Sequence, residues 1–119
     1  MRPDTATALE AGRAKFNQRD FGGAHETWEA AWRREAGADR LLLQGLIMVA
    51  AGCVKATRDE PRGAVKLLTS ALELLGGLHD DGGLALGAFV VKVTAALEEA
   101  RAWEQRGGAP LVPSFTLDP

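Results

Sequence analysis

Tyrosine is absent from this 119-residue chain, cysteine occurs once, and aromatic residues make up only 6%. One cysteine cannot close an intrachain disulfide, and Cys53 sits in an apolar run, so it reads as a small packed hydrophobe rather than a nucleophile. Basic runs are equally scarce. Arg33-Arg34 is the longest, and with a net charge of -2 the chain has no electrostatic footprint for nucleic acid or an anionic membrane. The start of the chain lacks the charged onset and cleavage site of a signal peptide. The longest apolar run reads as too short and too interrupted to span a bilayer. The expectation is a soluble cytoplasmic protein with no cofactor. Its length suffices for one domain, 1–119, that buries a core without metals or disulfides.

What the sequence has in quantity is Ala and Leu, within 46% hydrophobic and 25% charged residues, a balance that favours helix over sheet. Leu9, Gly12 and Phe16 recur at helical steps, predicting a first helix over 4–18 capped by Asp4 or Thr5. Asp20 is placed to cap a second helix over 20–35, with Gly37 as its left-handed stop. A third helix, 39–58 with Asp39 as cap, is apolar on nearly every side and should lie centrally. Pro61 suits the first turn of a fourth, 61–76, whose buried stripe is Ala64, Leu67, Leu68, Ala71, Leu72 and Leu75. The loop 78–83, which holds His79, leads to a fifth helix over 84–106, which stops at Gly107-Gly108. The prolines at 110 and 113 bar helix from the tail, and Leu111, Val112, Phe115 and Leu117 predict that it lies against the body. No strand is evident. Short connections make antiparallel neighbours, so the predicted fold is all-α: a five-helix up-and-down bundle of antiparallel hairpins with an extended tail.

Small residues recur. Gly12, Ala24 and Ala31 are matched forty positions later by Gly52, Ala64 and Ala71, with the same steps of 12 and 7. Either common residues coincide or a helical hairpin is duplicated, and the first copy, with Phe16, Asp20, Phe21 and Trp28 in place, is tetratricopeptide-like.

Chemistry concentrates at 25–32, where two of the three tryptophans, one of the two histidines and two glutamates fall together. Phe21, Ala24, Trp28, Ala31 and Trp32 share one helix face, completing an aromatic face with Phe16. His25 lies only about 20° from Trp32 around the helix. His25 and Glu29 form an i,i+4 pair. Antiparallel packing with a turn near Gly37 puts Glu29 level with Gln44, His25 with Met48 and Lys55 with Asp20. The candidate polar site is therefore His25, Glu26, Glu29, Gln44 and Lys55. As metal ligands, His25 and Glu29 fall short of the three or four that zinc takes, and only Glu26 or His79 could add another. As an acid-base pair they have no evident nucleophile beside them. As a polar network at a helix interface, His25, Glu29 and Gln44 would satisfy one another, and we favour this reading because half-buried polar groups generally have partners. Trp28 and Trp32 at helical spacing read as core.

Phe16-Asn17, Phe21, Ala24-His25-Glu26, Trp28-Glu29, Trp32-Arg33, Leu43-Gln44-Gly45-Leu46-Ile47, Ala50-Ala51, Lys55 and Gly63-Ala64 resemble the signature of the domain of unknown function 309 family, across residues 12–75. The resemblance implies an all-helical bundle and no assigned activity. The residues themselves point first to a non-enzymatic interaction module, self-associating or binding another protein. The rival is a small metal-dependent or acid-base enzyme using the His25/Glu29 edge.

Overall fold

In the computed structural model, which describes residues 1–78 and 82–119, the backbone forms α1 (Pro3–Asn17), α2 (Phe21–Trp32), α3 (Gly37–Thr57), α4 (Pro61–Leu75) and α5 (Leu86–Arg106). Among the described residues there is no strand, as expected, and each helix packs on the next in chain order. His79 and the middle of its loop lie outside the described residues.

The helix starts follow local chemistry, with corrections. Asp20 caps α2 as read: its carboxylate accepts from the Gly23 amide at 2.9 Å, satisfying one of the donors a helix start leaves free. Pro61 opens α4. Neither Asp4 nor Thr5 caps α1, however. Pro3 begins that helix after Arg2, so Asp4 lies in the first turn and Thr5 is fully buried. Asp39 likewise falls inside the first turn of α3, whose cap position is Ala36. There its charge still favours the positive end of the helix dipole.

The second helix ends three residues earlier than expected. Arg2 donates to the Arg34 carbonyl at 2.9 Å and pairs with Glu35 at 2.8 Å. With the turn bonds from the Arg34 amide to Ala31 and the Glu35 amide to Trp32, both at 3.2 Å, they accompany a non-helical link over 33–36. Gly37 is left-handed as predicted, φ +64, but it begins α3 instead of closing α2.

The forty-residue repeat extends to the backbone. Arg19 and Asp59, both non-glycine, are left-handed at φ 65 and 61. Around them the hydrogen bonds match pair by pair: Asp20 N–H to Lys15 C=O at 2.9 Å and Glu60 N–H to Lys55 C=O at 3.0 Å, Arg19 to Phe16 and Asp59 to Ala56. Gly12 lies under the Trp28 ring and Gly52 under the Leu68 side chain, again forty positions apart. Ala24, Ala31, Ala64 and Ala71 are all fully buried. The small residues therefore mark equivalent close approaches of α1 to α2 and of α3 to α4.

Phe16, fully buried, is the hub of the core. Its ring lies 5.1 Å from Phe21, 6.0 Å from Trp28 and 5.7 Å from both Phe89 and Phe115, centroid to centroid. The tail crosses this cluster as an extended strap, but Val112 is 73% exposed, against expectation, and Pro113 is buried in its place. Side chains alternate along extended chain, so burying Leu111 and Pro113 turns Val112 outward.

By length and composition α3 could cross a membrane, its apolar window having a mean hydropathy of 1.4, which corrects the expectation that no apolar run is long enough. In this fold 44% of that window is buried inside the protein, between α2 and α4.

Cys53 faces the core with no exposed surface, and burial pushes its thiol up to about 12. A folded-state value above the ordinary thiol range means that the native protein holds a proton which the unfolded chain releases. The associated stability is thus complete below the ordinary thiol range and declines as pH rises towards 12. A soluble disulfide reagent at pH 8 is expected to leave native Cys53 unmodified and to titrate one thiol in denaturant. Rapid labelling of the folded chain would contradict the burial.

Candidate functional site

The edge of α2 that carries His25, Glu26 and Glu29 faces α3, and a groove with two hollows runs between the helices. Helical spacing builds its floor. Ile47, Met48, Ala51 and Val54 follow one another at steps of one, three and three, and all are only half-buried. Arg40, Gln44, Met48, Ala51 and Lys55 form the adjoining stripe, since steps of three and four return to one side of a helix.

The first hollow, about 240 Å³, is lined by Gly22, His25, Glu26, Ala51, Val54 and Lys55. The second, about 270 Å³, is lined by Glu29, Trp32, Gln44, Ile47 and Met48. Glu29 and Gln44 thus line the same hollow, but His25 lies with Ala51, Val54 and Lys55, about one turn further along α3 than Met48. Between the two helices the link 33–36, contacted by Arg2, and the left-handed Gly37 both take part in the turn.

His25 and Glu29 do pair: Nδ1 lies 3.3 Å from the carboxylate. The other Glu29 oxygen accepts from Arg33 at 2.7 Å. Both carboxylate oxygens are thus engaged, and the three-member network with Gln44 does not form. No hydrogen bond joins Gln44 to His25 or Glu29 among the described residues, and Gln44 reaches the groove with its amide uncommitted. Lys55 lies 3.7 Å from Glu60 across the α3–α4 turn.

The aromatic face divides. Phe16, Phe21 and Trp28 are core, and the Trp28 indole donates to the Leu9 carbonyl at 3.1 Å. Trp32 is only half-buried at the groove, with the Arg40 guanidinium 4.1 Å from its ring centroid, a cation–π arrangement. Its indole N–H is buried without a hydrogen-bond partner among the described residues. Trp32 fell outside the core because α2 ends there, leaving no further turn to seat it. Arg40 was missed, although its position one turn before Gln44 marked it as part of the same stripe.

Chemically, the groove presents apolar surface between two polar lips. No three His, Cys, Asp or Glu side chains converge as metal ligands among the described residues, Glu26 included, and His79, the other proposed additional ligand, is outside them. The five candidate residues divide between two open hollows: His25, Glu26 and Lys55 in one, Glu29 and Gln44 in the other.

Residues 9–67 match the family model described as Domain of unknown function (DUF309), a stretch that covers the second half of α1, all of α2 and α3, and the first half of α4. The whole groove and both matched turns lie within it. The resemblance read from the sequence is borne out over that stretch. No curated protein matches the chain.

Proposed function

With residues 9–67 carrying the DUF309 match, we propose that the chain is a non-enzymatic helical interaction module that associates with a second copy of itself through the α2–α3 groove. One observation carries the reading: Ile47, Met48, Ala51 and Val54 are only half-buried on the face of α3 that lines the two hollows. The lips support a symmetric partner. Glu26 lies along α2, and Arg40 and Lys55 along α3, Lys55 also lying 3.7 Å from Glu60. A two-fold rotation can set the acidic lip of one copy against the basic lip of the other, the self-complementarity an isologous interface requires. Glu29 engaged by both His25 and Arg33 favours a structural role for that pair over acid-base chemistry.

The architecture behind this reading is an up-and-down bundle of antiparallel hairpins, tetratricopeptide-like in its first two. Its support is the reversed order of contacts: Gly45 with Leu75, Gly52 with Leu68 and Gly63 with Lys55, joined by three-residue turns. A protein surface as partner, without nucleic acid or an anionic membrane, agrees with the net charge of -2.

Methyl NMR provides the test. On concentrating the protein, the Met48, Ile47 and Val54 methyl signals are expected to move together. Methyl shifts that stay constant with concentration, or changes confined to another face, would contradict the reading.

A further inference from the structure

Residues 111–117 lie in a groove between α1 and α5, and most of the polar contacts that hold them go to their main chain, Lys92 also reaching the Thr116 hydroxyl and the Asp118 carboxylate, both at 3.4 Å. Asn17 donates from Nδ2 to the Leu117 carbonyl at 3.0 Å, and its Oδ1 accepts from the Leu117 amide at 2.9 Å. One side-chain amide thereby pairs both backbone groups of one residue, as a neighbouring strand would. Arg13 also donates to the Leu117 carbonyl at 3.0 Å, and Lys92 donates to the Thr116 carbonyl at 2.9 Å. The Asp118 carbonyl accepts from the Ala85 amide at 2.9 Å. Side chains supply the selection. Leu111, Pro113 and Leu117 are buried and Phe115 is half-buried, while Val112 and Ser114 face out.

Main-chain bonds combined with pockets for alternate residues are how proteins bind extended segments supplied in trans. Two further observations indicate that this segment is separable from its groove. Gly107 and Gly108, both at positive φ (69 and 83), join it to α5 through a backbone that can turn either way. An open hollow of about 230 Å³ lies beside it, lined by Ala96 and Glu99 of α5 and by Val112 and Ser114 of the strap.

We infer that the α1–α5 groove is a receptor for an extended segment with apolar residues at alternate positions, filled in cis by residues 111–117 and open in trans to the same residues of a second copy. Exchange of an identical element conserves every contact except those of the hinge, which makes it a low-cost route to association. The site is distinct from the α2–α3 groove.

The test uses the full chain carrying Leu117→Asp, whose own strap can no longer seat a side chain in a fully buried position, and a fluorescein-labelled peptide of residues 109–119. Saturable binding is expected by anisotropy. Wild type should bind at least about tenfold more weakly, because its resident strap leaves only a small fraction of grooves free. Adding Asn17→Ala to the Leu117→Asp chain should abolish binding, and a scrambled peptide should not bind. Absence of saturable binding to folded Leu117→Asp chain, or binding indifferent to Asn17→Ala, would overturn the inference. Circular dichroism establishes folding. If Leu117→Asp does not fold, Phe115→Ala serves in its place, and unfolding of both would also overturn it, since a groove that empties only when the chain unfolds is no receptor.

Discussion

Trp28→Ala is expected to destabilise the protein by about 3–5 kcal/mol, the range for deleting a fully buried large aromatic side chain. A domain of this size has only about 5–15 kcal/mol in total. Trp28 has no exposed surface, stacks 6.0 Å from the Phe16 hub, covers Gly12 and donates its indole N–H to Leu9. Truncation therefore opens a cavity at the contact between α1 and α2 and removes a buried hydrogen bond. Urea denaturation followed by circular dichroism measures it. Trp28→Phe, which keeps most of the volume and loses the indole bond, should cost distinctly less, with about 1 kcal/mol assignable to the bond. Equal losses for the two variants would mean that the ring does not fill the space described.

Gly12→Ala should rank next, at about 1–3 kcal/mol for overpacking, and its counterpart forty residues later should behave differently. A Cβ at position 12 would come within 2.1 Å of the Trp28 indole nitrogen and 2.5 Å of two further ring atoms. A planar ring wedged against Phe16 cannot bend aside, so either α1 moves away from α2 or the indole leaves its site. At position 52 the nearest atom is the end of the Leu68 side chain at 3.0 Å, and a leucine methyl can yield by a few tenths of an ångström. Alanine also gains about 1 kcal/mol over glycine inside a helix, so Gly52→Ala should be close to neutral. Equal penalties at the two positions would contradict the rigid-ring explanation, though not the repeat itself.

Much of the fold was written locally. Asp20 as cap, Pro61 as opener, the stripe Leu9, Gly12 and Phe16 and the stop at Gly107 each depend on residues within a turn or two of one another, and each is where the periodicity placed it. The forty-residue recurrence was visible in the small residues because they mark the points of closest helix approach. What escaped the sequence depends on partners distant along the chain. Arg2 reaches Glu35 just past the early end of α2, which no local pattern announces. Asn17 meets Leu117 across a hundred positions, so nothing beside it hinted at its two backbone bonds.

The candidate site shows the same division. The His25–Glu29 pair is one helical turn and was legible. Its expected link to Gln44 is absent although Glu29 and Gln44 line one hollow, because Arg33, one turn further on, takes the second Glu29 oxygen. Trp32 was assigned to the core from its angle on the helix, but angle does not tell where the helix stops.

The groove between α2 and α3 is the centre of this functional reading, and sedimentation equilibrium of wild type beside Met48→Glu tests it most directly. Met48 is half-buried in the groove floor, so a carboxylate there can reach water without unfolding the chain yet would be stranded in an apolar interface. Wild type is expected to associate reversibly to twice its monomer mass, and Met48→Glu to associate far more weakly with unchanged helicity. A wild type that stays monomeric at every concentration, or a Met48→Glu chain that associates equally well, would contradict it.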